Sequence, residues 1–76
     1  MIDIEVIKVE EQSNRRLIFR ACARATAGQL EFPIAVQDQG STVLNETAAL
    51  RSMLGFAEEI ATSLRLRLGL ARTGQL

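Results

Sequence analysis

Along residues 2–37 apolar and polar side chains alternate in three bouts, whereas from residue 46 to 68 apolar side chains recur every three or four positions. A period of two puts alternate side chains on opposite faces of a strand, and a period near 3.6 gathers them on one side of a helix. Ile2, Ile4 and Val6 alternate and then slip by one position to Ile7 and Val9, which predicts a strand over 2–9 with a bulge near its middle. EEQSNRR follows as polar turn material. Over 17–25, Leu17, Phe19, Ala21, Ala23 and Ala25 face one way, and Ile18, Arg20, Cys22, Arg24 and Thr26 face the other. TAGQ is expected to turn around Gly28. A third strand over 30–37 then carries Leu30, Phe32, Ile34 and Val36 on one face, with Glu31, Pro33, Ala35 and Gln37 on its back. Such short connections imply antiparallel hairpins in the order 1-2-3. Proline lacks the N–H that an interior strand needs, so Pro33 belongs on an edge, where this order puts it.

DQGSTVLN is a connection, with Asn45 the expected N-cap and Glu46 placed against the helix dipole. Beyond it, Leu50, Met53, Leu54, Ala57, Ile60, Ala61, Leu64 and Leu68 form one stripe of a helix over 46–68, expected to pack on the sheet. LRLRLGL, residues 64–70, alternates like a strand but contains no β-branched or aromatic residue, and leucine and arginine are good helix formers. The helical reading therefore prevails. Gly69 is then the left-handed C′ residue and Leu70 the C″ residue able to fold back on Leu64, with 69–76 a short frayed tail. The expected fold is α+β: a single domain over 1–76 with a three-stranded antiparallel sheet and one long C-terminal helix on one face, a βββα two-layer sandwich.

A chain of 76 residues is near the lower limit of independent folding. One cysteine excludes an internal disulfide, and the absence of histidine leaves no plausible zinc ligand set. Oligomerisation is the remaining staple, and a homodimer is expected. Leu66 falls opposite the apolar stripe, on an outer face with Ser52, Gly55, Glu59 and Ser63 and with Phe56 at its edge. Glycine within a helix costs about 1 kcal/mol against alanine, so Gly55 points to a close neighbour, and this outer face is the expected dimer interface.

Nine bases balance nine acids, so no global field draws the chain to nucleic acid or to an anionic membrane. The acidic alternation at the N-terminus is unlike a secretory signal, and no apolar window reaches membrane-spanning length, which together read as a cytoplasmic protein. Without histidine or tyrosine, and with one lysine, the usual general bases are missing, so no catalytic residue, cofactor or metal is expected. Arg16, Arg20 and Arg24 form a row on the back of the sheet, a candidate anion or nucleic-acid patch joined by the basic residues Arg65, Arg67 and Arg72. In element order alone, three strands then a helix resembles the arm-binding domains of phage integrases and a plant class of DNA-binding domain. Those domains lay the sheet on DNA. No aromatic reader accompanies the row here, and Asp3, Glu5 and Glu31 are placed to neutralise it, so cross-strand ion pairs are expected and nucleic acid is not. Cys22, flanked by Arg20 and Arg24, is a candidate reactive thiol, against the ordinary role of a small buried hydrophobe. The function expected is that of a non-enzymatic module that binds another protein or completes an assembly, with nucleic-acid binding and cysteine redox sensing as alternatives.

Overall fold

A computed structural model describes residues 2–70. The chain forms strands β1 (Asp3–Gln12), β2 (Arg16–Ala25) and β3 (Gly28–Gln37) and one helix, α1 (Thr42–Arg67). The sheet is antiparallel in the order β1-β2-β3, and α1 lies across one face, so the fold is the expected βββα sandwich. β1 and β3 are therefore the two edges, and Pro33 is on the second of them.

β1 runs three residues further than its alternation suggested, because Glu10, Glu11 and Gln12 pair with Ile18, Leu17 and Arg16. The turn is confined to a short 3-10 segment, Ser13–Arg15, in which Asn14 and Arg15 adopt φ of 67° and 60°. Asparagine tolerates this left-handed region, but arginine does so at a cost. Hydrogen bonds from the end of β3 hold the turn: Gln37 Nε2 donates to the Asn14 carbonyl, and the Asp38 amide donates to that of Arg15, both at 2.8 Å.

The bulge falls later than expected. Register shifts between Lys8 and Glu10, at Val9, so Ile7 stays on the back face opposite Arg20. Gly28 is likewise not the turn residue: it opens β3 paired with Ala25, leaving Thr26 and Ala27 as the connection.

Helix α1 begins four residues before its expected start. Ser41, not Asn45, is the N-cap, its Oγ accepting from the Leu44 amide at 3.1 Å. Asn45 is engaged with the loop instead, accepting from the Gln39 amide at 2.6 Å and donating to Asp38 Oδ1 at 3.2 Å. The earlier start removes Glu46 from the first turn, which holds no acidic residue. At the other end, the Gly69 amide donates to the Leu66 carbonyl and the Leu70 amide to that of Arg65, with Gly69 at φ 74°. These are the two bonds of a Schellman end. LRLRLGL is thus helix and its stop signal, not a fourth strand. The tail beyond Leu70 lies outside the described residues.

The core is Leu17, Phe19 and Ala21 of β2, Ile34 and Val36 of β3, and Ala49 and Met53 of α1. Ala21 and Ala49 are completely buried, and these small side chains let the helix settle close over the middle strand. Val6, Ala23, Phe32 and Ala48 pack around this centre, while Ala25 is exposed.

Candidate interaction surface

The helix carries two apolar stripes. Ala49, Met53, Phe56 and Ile60 are on the sheet side: the first two are buried in the core, Phe56 packs its tilted ring against Phe32 of β3, and Ile60 is half-buried. One residue further along, about 100° around the helix, run Leu50, Leu54, Ala57, Ala61, Leu64 and Leu68. Of the stripe expected to pack on the sheet, Met53 and Ile60 do so, whereas Leu54 is 59%, Leu64 53% and Leu68 70% exposed. The Phe56–Phe32 contact and the buried Ala49 set the rotation of the helix, and that rotation turns the leucines aside, toward β1.

Length adds to this exposure. A helix of 26 residues is about 39 Å long, against strands of 10 residues, about 33 Å each. Every residue from Thr62 to Leu70 is exposed, so the last turns of α1 stand clear of the sheet.

Where the second stripe passes over the start of β1, it borders an open groove of about 290 Å³. Ile2 and Ile4, Leu30 and Phe32, and Leu50 and Leu54 bound it, and nearly all of its surface is apolar. Toward the other end of the sheet the helix-facing side is more polar: Lys8 and Glu11 form an ion pair at 2.6 Å, and Thr42, Asn45 and Glu46 share the adjacent cleft with Val6 and Phe19. The apolar surface runs from the groove along α1 to its overhanging end.

The face expected to mediate dimerisation is elsewhere. Ser52, Gly55, Glu59, Ser63 and Leu66 lie on the side of α1 away from the second stripe. A Cβ added to Gly55 would meet nothing within 4 Å, and only Leu66 among these five is a large apolar side chain. Phe56 borders Glu59 and Ser63 at the edge of this face, but its ring packs inward, its centroid 4.4 Å from that of Phe32.

On the back of the sheet the arginines meet acids on both neighbouring strands. Arg20 lies 3.5 Å from Glu31, and Arg24 lies 3.3 Å from Asp3 and 3.4 Å from Glu5. Arg16 is exposed at the end of the row. Cys22 is buried on this face beneath Arg24 Nη1 at 3.1 Å and Gln29 Nε2 at 3.5 Å. The Arg24 guanidinium is held above its ordinary pKa, first by Cys22 and then by hydrogen bonds to Asp3 and Glu5. Among the described residues no group of three acids or cysteines is placed to hold a metal, and no helix is long and apolar enough to cross a membrane.

Sequence reasoning missed the groove and the part taken in it by Ile2, Ile4 and Leu30. Its signal was nevertheless present: the spacing of Leu50, Leu54, Ala57, Ala61, Leu64 and Leu68 is four, three, four, three, four, the heptad seam of a helix that meets another helix. In comparisons with known proteins, the chain matches no family model, no curated protein and no solved structure.

Proposed function

We propose that the protein is a non-enzymatic interaction module of the cytoplasm that works as a homodimer, its role being to complete an assembly rather than to transform a substrate. One observation carries this reading: more large apolar side chains are exposed than buried. Eight side chains form the buried set, three of them no larger than cysteine, whereas among the described residues fourteen large apolar side chains are exposed. Scattered exposed leucines are ordinary on a folded protein. Here eight of the fourteen, Ile2, Ile4, Leu30, Leu50, Leu54, Phe56, Leu64 and Leu68, gather along one helix seam and one groove, which is the distribution that marks an interaction site. The small core supports the same reading, since a domain of this size gains stability from association. Pairing of Arg20 and Arg24 with acids leaves little free positive charge for a phosphate backbone, which weighs against the nucleic-acid alternative.

Sedimentation velocity over a concentration series through the micromolar range tests the proposal. A species of twice the chain mass that dissociates on dilution is the expected result. A monomer throughout that range overturns it.

A further inference from the structure

The heptad seam of α1 reads the same in both directions: Leu50, Leu54, Ala57, Ala61, Leu64, Leu68. Two such helices laid antiparallel about a two-fold axis level with Glu59 set Leu50 beside Leu68, Leu54 beside Leu64 and Ala57 beside Ala61. A two-fold interface requires this self-complementarity, because each contact from one copy to the other is made again in reverse. Small side chains fall at the centre, where the backbones approach, and leucines fall at both ends.

The remainder of the molecule favours the same arrangement. The overhanging end of α1 presents Leu64 and Leu68 with no sheet beneath them, while the groove beside Leu50 and Leu54 has sheet beneath it and no cover. Each end supplies what the other lacks. We propose that a second copy of this chain occupies the face, with the two α1 helices antiparallel and with Leu64 and Leu68 of each copy closing the groove formed by Ile2, Ile4, Leu50 and Leu54 of the other.

A parallel pair would also align the seam, but it would set groove against groove and overhang against overhang, leaving both unfilled. The polar end of the sheet, with Lys8, Glu11 and Glu46, and the outer helix face, with Ser52, Glu59 and Ser63, offer no comparable apolar seat. An interface of standard size draws about 800 Å² from each partner, and the exposed leucines from Leu50 to Leu68 together with Ile2 and Ile4 are the apolar area this chain offers toward it. Glu58 comes to lie beside its own symmetry mate on the solvent side of the seam, a rim contact that salt screens.

This inference rests on the proposed homodimer, and the experiment separates the two. In a Cys22→Ser background, Leu54→Cys and Leu64→Cys chains are oxidised separately and as a mixture. Antiparallel pairing predicts cross-linking between the two kinds of chain and none within either kind, since two copies of position 54 would be about 15 Å apart along the axis, beyond the roughly 7 Å reach of a disulfide. Cross-linking of Leu54→Cys to itself overturns the arrangement. In parallel, Leu54→Glu and Leu64→Glu should each raise the dimer dissociation constant at least about a hundredfold, and Leu66→Glu should leave it unchanged. Leu54→Lys combined with Leu64→Glu in one chain should recover most of the loss, because the two new charges face each other across the axis. Circular dichroism of each variant checks that the exposed substitutions leave the fold intact. A wild-type dimer indifferent to charges at 54 and 64 overturns this geometry and leaves the proposed function standing, whereas a wild-type monomer overturns both.

Discussion

The rings of Phe32 and Phe56 lie with centroids 4.4 Å apart and planes inclined at 41°, tying the third strand to the middle of the helix. This contact, with the buried Ala49, fixes which way the helix is turned. Aromatic pairs contribute about 0.5–1.5 kcal/mol beyond their buried area. Phe56 is 41% exposed, so Phe56→Ala should cost about 2 kcal/mol, below the 3–5 typical of a fully buried ring. Denaturant titration of the variant at fixed protein concentration measures the loss.

The two helix stripes should respond oppositely to charge. Ala49→Asp places an unpaired carboxylate at a position with no solvent access, at a cost comparable to the whole stability of a domain this small, so the variant should be unfolded. Leu64→Glu puts its charge on the exposed stripe and should keep a native helical spectrum by far-ultraviolet circular dichroism.

Gly55→Ala should stabilise the fold by about 0.5–1 kcal/mol. Nothing stands within 4 Å of the added methyl group, and the backbone there is ordinary helix. Thermal melting should rise by roughly 2–8 °C without change in sedimentation. Destabilisation would show that a neighbour does approach this position.

Asp38 gives the loop before α1 a pH dependence of known sign. Its carboxylate accepts from the Gly40 amide at 2.8 Å and from Asn45 at 3.2 Å, and these bonds, helped by the more distant charges of Arg15 and Lys8, hold its pKa below the ordinary value. A group depressed in the folded state contributes stability that is fully present above its unfolded pKa, about 3.9 for aspartate, and is lost as pH falls through the lower folded value. Between about pH 4 and pH 2 the wild-type melting temperature should therefore fall further than that of Asp38→Asn, and above about pH 5 the gap between the two proteins should be constant.

Cys22 should react slowly. It is 3% exposed and covered by Arg24 and Gln29, so alkylation of the folded protein should lag behind that of the urea-unfolded chain. Faster reaction in the folded protein would restore the redox reading.

The architecture was legible because period two and period three to four are local signals, and the turns between them are short. Boundaries were less so. Asn45 has the chemistry of an N-cap, but Ser41 took that place and left Asn45 to hold Gln39 and Asp38. The larger miss concerns the helix, whose apolar arc is wide enough for two stripes. Sequence spacing cannot say which stripe faces the sheet, since that is decided by the fit of Ala49 over Ala21 and of Phe56 against Phe32, contacts between residues far apart in the chain. The outer face drew attention through Gly55 and Leu66; in the structure the glycine stands in open space and the leucine is 66% exposed. Ile2, Ile4 and Leu30 read as ordinary strand residues, and only the tertiary fold shows that the helix leaves them partly uncovered.

A sheet of three strands keeps two raw edges, and an unprotected edge is a template for open-ended growth into filaments. On β3 that growth meets Pro33, which has no N–H to offer an incoming strand, and on β1 the bulge at Val9 breaks the regular ladder between Lys8 and Glu10. Both rims are thus blunted by backbone features, while the apolar seam lies on the helix. The consequence is a division between closed and open association: in the proposed dimer, side-chain packing along α1 stops at a finite complex, and the blunted edges oppose its continuation. Replacement of Pro33 by threonine, a good strand former, would remove one of these two barriers and should appear as fibrillar aggregation on prolonged incubation, with little change in the freshly folded protein.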